Sequence, residues 1–185
     1  IMRYFLLGIV FLFSCGEGTK TLPSSTGTNS EVIFVVDDAL WELGIDTLVR
    51  NTFGAAIQGL NQNETIFRVV QINHSEFKSI LKTHKNIVII TEGAKISSHK
   101  NKWASEQFVA HLGWDDNANN LAQSLKKLRE IFVLKEVNSI RKSFAKLSQK
   151  KMEEILKVNF KIDCIVPKEY EIIENNKSFF WANYD

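Results

Sequence analysis

The spacing of the apolar, β-branched runs constrains this fold more than any other feature. Glu31–Val36 (EVIFVV), Ile66–Ile72 (IFRVVQI), Asn86–Ile90 (NIVII) and Gln107–Trp114 (QFVAHLGW) each have strand length and composition. KIDCIVP and SFFWANY near the end of the chain read as a fifth and a sixth strand. A parallel pair needs a crossover of a dozen or more residues, usually a helix. Strands two and three, and five and six, follow each other too closely for every link to be a helical crossover. This favours an α+β fold, with a mainly antiparallel sheet and helices packed on one face.

The helices read from their periodicity. Asp37 and Asp38 stand where N-cap residues belong. After them Trp41, Ile45, Leu48, Val49 and Phe53 recur on one helical face. Ser75–Lys82 has room for one or two helical turns, and Gly93–Trp103 is a polar, basic loop. A long helix is expected from about Asn117 to Ser148, striped by Leu121, Leu125, Leu128 and Phe132 and continued by Val133, Val137, Ile140, Phe144 and Leu147. KKMEEILKVNF is a further helix. The resulting order suggests a β-α-β-β pseudo-repeat. With 185 residues, 44% hydrophobic and 24% charged, the chain has the material for one well-buried core.

The N-terminus reads as a processing signal. Met2 and Arg3 form a short basic end, and Tyr4–Phe13 is unbroken by a charged side chain. That run is about half the ~20 residues needed to cross a bilayer, so it suits the core of an export signal. Leu12-Phe13-Ser14-Cys15 resembles the lipobox of bacterial lipoproteins. The resemblance implies cleavage after residue 14 and acylation of Cys15, and hence a membrane partner held through palmitate-type chains. Residues 15–30 are rich in Gly, Ser and Thr, the composition of a flexible tether. The expected division is therefore a signal at 1–14, a tether at 15–30 and an α+β domain at 31–185. Cys164 is left as a lone, buried thiol, with no disulfide framework.

The net charge of +2 hides an asymmetry. Cys15–Phe77 carries eight acids and three bases, whereas Lys126–Lys151 carries nine bases and two acids. A basic helical face of this kind can meet anionic headgroups or an acidic envelope protein, with Lys126, Lys127, Arg129, Arg141 and Lys142 as candidate contacts. The competing reading is a solvated face balanced by the acidic half of the domain. Trp103, in the polar loop, is the candidate for an exposed aromatic contact. The run has no interleaved aromatic platform, so nucleic acid is not an expected partner.

Motifs for chemistry are sparse. The four His residues show no HExxH spacing and no metal-ligand cluster with Cys or Asp. There is no G-x-S-x-G elbow, P-loop or dinucleotide fingerprint, and no cofactor is implied. Two groups are the candidates for acid–base work: Asp37 with Asp38 after the first strand, and His111 with Asp115 and Asp116. The simpler reading makes both Asp pairs helix caps.

Several segments taken together resemble a family of Bacteroidota lipoproteins, domain of unknown function 4837. They are LPSSTG (Leu22–Gly27), Glu31–Phe53, GLNQNETIFRVVQI (Gly59–Ile72), KNIVII (Lys85–Ile90), WASEQ (Trp103–Gln107) and the closing VPKEY…FFW. NQNE and WASEQ depart from the pattern in lacking a proline. The resemblance implies an envelope lipoprotein, and it carries over no catalytic residue; with Glu17 the one acid just after Cys15, where surface-exported lipoproteins carry several, the expected position is the outer membrane, facing the periplasm. An Ile before the first Met and an ending in an aromatic, strand-like run suggest an incomplete reading frame. The leading expectation is a lipid-anchored, non-catalytic binding or envelope-organising module. The alternatives are an envelope-polymer hydrolase using Asp37/Asp38 or His111/Asp115/Asp116, and a small-ligand carrier with a cavity near Trp103 or Trp114.

Overall fold

A computed structural model describes residues 21–184; the signal at 1–14 and Cys15 lie outside the described residues. The chain runs β1 (Glu31–Val35), α1 (Asp38–Leu40), a wider π-turn (Trp41–Ile45), α2 (Asp46–Thr52), β2 (Arg68–Ile72), a 3-10 turn (Ser79–Thr83), β3 (Asn86–Glu92), β4 (Ser97–Lys100) and β5 (Phe108–Trp114). It continues with α3 (Ala118–Ala145), α4 (Lys150–Phe160), β6 (Tyr170–Asn175) and β7 (Phe180–Tyr184). The first five strands form one sheet in the order β2-β1-β3-β5-β4, and β6 and β7 form a separate hairpin.

The architecture is α+β, with the main sheet mixed rather than mainly antiparallel. β1 pairs in parallel with β2 and with β3, and β3 pairs in parallel with β5. Only the edge strand β4 runs antiparallel, against β5. The physical reason lies in the segment 73–85. It has no full helix, yet it is long enough to pass across the sheet and bring β3 parallel to β1 on the side away from β2. A turn and a 3-10 segment thus do the work of a crossover helix. The pseudo-repeat fails as well, because the hairpin joins a different sheet.

α2 and α3 pack on one face of the main sheet, whereas α4 packs through Met152 and Leu156 against the hairpin. Val32, Phe34 and Val36 point to the side where Ile45, Val49, Phe53, Leu121, Leu125, Leu128 and Phe132 form the main core. Phe132 lies edge-on to Phe53 and Phe108, with ring centroids 5.8 and 5.3 Å away. Ile33, Val35, Ile87, Ile89 and Val109 point the other way, under Phe77, Leu81 and Trp103. β1 is therefore apolar on both faces, as a central parallel strand must be. The 38–52 helical segment bends at Gly44, whose φ of 106° is available to glycine without strain.

Three local expectations change. The Gly93–Trp103 loop contains β4, whose four residues are all exposed, so no apolar alternation marks it. KIDCIVP is not a strand; it leads irregularly from α4 to the hairpin, and Cys164 is a half-buried free thiol there. Residues 23–29 of the tether are fastened to the domain. Ser105 donates its N–H to the Pro23 carbonyl (2.8 Å), Thr26 to Thr83 (2.9 Å) and Lys85 to Thr26 (2.9 Å), while Lys85 Nζ donates to Asn29 Oδ1. Gly27, at φ 94°, packs so closely on His84 that a Cβ there would overlap the imidazole.

These contacts all lie at the amino edge of the parallel strands, where a polar network also fixes α3. The Asn86 amide is fully used: Nδ2 donates to the Glu31 carbonyl and to Glu136 Oε1, and Oδ1 accepts from Lys135 Nζ (2.8 Å). Lys85 Nζ stands 3.5 Å from Glu136 Oε2, an ion-pair distance too long for a hydrogen bond. His84 Nε2 meets Glu31 Oε1 at 2.9 Å, and Arg68 approaches the other oxygen of the same carboxylate. Networks this buried are costly when broken, so they specify where the helix sits. Burial pushes the Lys135 ammonium down to about 8, with Lys85 adding to the effect and Glu136 opposing it.

Candidate functional site

Strand order reverses at β1, which has β2 on one side and β3 on the other. In open α/β sheets the crevice outside the carboxyl ends at such a point is the usual ligand position. Here the residues following β1 and β2, together with the end of β3, converge on it.

Asp37 follows β1 and His74 follows β2. The His74 N–H donates to Asp37 Oδ1 (3.0 Å), and this bond is the main cause holding the carboxyl below its ordinary range. The ring then bridges outward: Nδ1 is 3.1 Å from the same Asp37 oxygen, and Nε2 is 3.2 Å from Thr91 Oγ1 on β3. The Nδ1 contact is an ion pair when the ring is protonated, without the alignment of a hydrogen bond. Asp38 serves differently. Its carboxylate accepts from Gln71 Nε2 (2.9 Å) and Asn73 Nδ2 (3.0 Å), and its N–H donates to Asn73 Oδ1. Neither carboxylate caps its own helix, as the cap reading required. Both tie the start of α1 to the end of β2.

His111, Asp115 and Asp116 do not form a site. His111 shares the sheet face of Val109 and meets Lys102 Nζ at 3.1 Å. Burial, with help from Lys102 and then His99, holds its pKa below the ordinary histidine value. Asp115 accepts from the Asn117 N–H and from Asn120 Nδ2, building the head of α3. No hydrogen bond or ion pair among the described residues joins these carboxylates to His111.

At the same carboxyl edge of the sheet, a cleft of about 420 Å³ opens between the ends of β3 and β5 and the first turns of α3; Asp37, His74 and Thr91 are not among its lining residues. Trp114, Gln123, Ser124 and Lys127 are among its lining residues, and the Trp114 indole N–H is buried without a partner. A second cleft, of about 400 Å³, lies at the hairpin between Asn159, Asn175, Asn176 and Lys177, remote from these groups in sequence and sheet.

Of the expected contacts, Lys127 lines the first cleft. Lys126 is exposed beside it, Arg129 is half-buried, and Arg141 and Lys142 are exposed further along α3. Trp103 is not an exposed contact. It is half-buried against Phe77, with Lys102 Nζ 4.4 Å from its ring centroid. Sequence reasoning missed Gln71, Asn73, His74 and Thr91. Their one signal was position: in a parallel sheet, residues just after successive strands share an edge, and the antiparallel reading hid that.

Among the described residues, no group of three His, Cys, Asp or Glu side chains is placed to hold a metal, and no helix is long and apolar enough to cross a membrane. No curated protein and no solved structure matches the chain. One family model matches over residues 25–157, from the fastened N-terminal segment through the five-stranded sheet and α3 to most of α4. The chain belongs to the family described as Domain of unknown function (DUF8532).

Proposed function

We propose that this chain is a lipid-anchored envelope protein whose domain binds a partner or small ligand at the carboxyl edge of its sheet. The anchoring rests on the lipobox-like Leu12–Cys15 segment and on the resemblance to Bacteroidota lipoproteins, and the position that suits it best is the outer membrane, facing the periplasm. The observation that carries the binding reading is the polarity of the domain. The N-terminal segment is fastened at the amino edge through Pro23, Thr26 and Asn29, whereas the cleft and its polar groups open at the opposite edge. A chain anchored through Cys15 then presents the cleft away from its membrane.

A photo-crosslinker at Gln123, in the cleft, tests this in intact envelopes. A single discrete adduct, absent when the crosslinker stands at exposed Glu154 on α4, is the expected result. No adduct above the Glu154 background sinks the binding reading.

One observation favours a second reading. Carboxylate, imidazole and hydroxyl stand in the order Asp37–His74–Thr91, the order of an activated nucleophile. A hydrolase of envelope polymers built on that chain must lose turnover on Thr91→Val. The binding reading predicts no turnover to lose. Asp37 is open to solvent and Thr91 is outside the cleft lining, which favours binding.

A further inference from the structure

α3 is longer than the sheet it covers. Its buried positions are Leu121, Leu125, Leu128, Phe132 and Glu136, and they stop where Glu136 meets Asn86 at the start of β3. Beyond that point the helix continues past the amino edge. At 1.5 Å per residue, Val137–Ala145 projects roughly 13 Å. Residues 141–147 are exposed all the way round the axis.

This projecting end is not a polar helix. Val137, Ile140 and Phe144 follow one another at steps of three and four, Leu147 stands in the turn that ends the helix, and they are 48, 38, 46 and 61% exposed. Four large apolar side chains in one open stripe call for a covering surface. The charge is one-sided too. Between Val137 and Met152 stand Arg141, Lys142, Lys146, Lys150 and Lys151, and no acid. Such a segment complements an anionic surface with an apolar interior.

The N-terminal segment leaves the domain at this same edge. Seven residues, and so eight Cα steps, separate Cys15 from Pro23, so an acyl anchor on Cys15 lies within about 28 Å of the amino edge. We propose that the projecting end of α3 lies in the headgroup layer of the membrane that holds the anchor, with its apolar stripe in the acyl boundary and its bases on anionic phospholipid headgroups. This rests on acylation of Cys15. The anchor alone leaves the domain free to rotate; the helix supplies a second contact, which fixes the sheet so that its carboxyl edge points into the aqueous space.

The test uses the acylated full chain in vesicles of phosphatidylcholine, with and without phosphatidylglycerol. Cys164 is replaced by Ser, and a nitroxide is attached at Phe144→Cys or, as the control at the cleft, at Ile96→Cys. In anionic vesicles the ratio of oxygen to aqueous nickel accessibility should be several-fold higher at 144 than at 96. Lys142→Glu with Lys146→Glu should return it to the value in neutral vesicles. Equal accessibility at the two positions, in protein whose mass shows acylated Cys15, overturns the proposal and leaves the anchoring intact. Spin–spin broadening between copies at 144 also overturns it, by assigning the stripe to a second chain. A mass showing unmodified Cys15 overturns both.

Discussion

Gly27→Ala probes how the N-terminal segment is fastened. Gly27 sits at φ 94°, where a side chain costs about 1–2 kcal/mol, and its new Cβ would overlap the His84 imidazole. His84 is only 5% exposed and its Nε2 is held by Glu31, so the ring moves only by giving up a hydrogen bond to a charged group, worth roughly 1.5–3 kcal/mol. The two effects together reach about 2.5 kcal/mol at their lower ends, close to a hundredfold in the docking equilibrium. Gly59→Ala is the control. Its φ of 88° carries the same backbone strain, but nothing lies within 4 Å of the added carbon. Hydrogen exchange reads the outcome at the amides of Thr26, Lys85 and Ser105, which bond between the segment and the domain. In Gly27→Ala they should exchange about a hundredfold faster, while Val88 in the core of β3 keeps its protection. In Gly59→Ala all of them should be unchanged. Equal protection of the three amides in the two variants would refute the reasoning.

Glu136→Ala strands Lys85 and the Asn86 amide in a buried setting and should lower unfolding stability by about 3–5 kcal/mol, read from urea denaturation; a loss under 1 kcal/mol contradicts the network. Two phenylalanines on α3 should behave oppositely: Phe132→Ala, fully buried, costs about 3–5 kcal/mol, and Phe144→Ala, in the open stripe, less than about 0.5 kcal/mol. Lys135 titrates near 8 in the folded chain, against 10.5 ordinarily. Between those values the unfolded chain holds a proton that the folded chain does not, so stability rises with pH above about 8 and is flat below it. Urea midpoints from pH 7 to 10 should show that rise, and Lys135→Met should remove it.

Much of the fold was legible residue by residue. The apolar runs gave β1, β2, β3 and β5, and the stripe Trp41–Phe53 gave the first helical face, because burial imposes periodicity. The length of α3 was legible too, including the part that covers nothing. Strand direction was not, since it depends on where segment 73–85 passes rather than on what it contains. That one error hid the site, because Asp37, His74 and Thr91 meet only when β1, β2 and β3 run the same way. β4 and β6 were missed for another reason: both are largely exposed and lack apolar alternation. Composition misread residues 23–29, where Ser, Thr and Gly serve backbone bonding and close approach to His84 instead of flexibility.

The central claim is that the chain is held to a membrane through Cys15 and presents its carboxyl edge away from it. The mass of the N-terminal peptide of the mature protein, isolated from envelopes, tests the anchor most directly. The account predicts a peptide that begins at Cys15 and carries a diacylglyceryl thioether with an amide-linked acyl chain, and that is lost from the membrane in Cys15→Ser. A peptide that retains residues 1–14, or that begins at an unmodified Cys15, would contradict it.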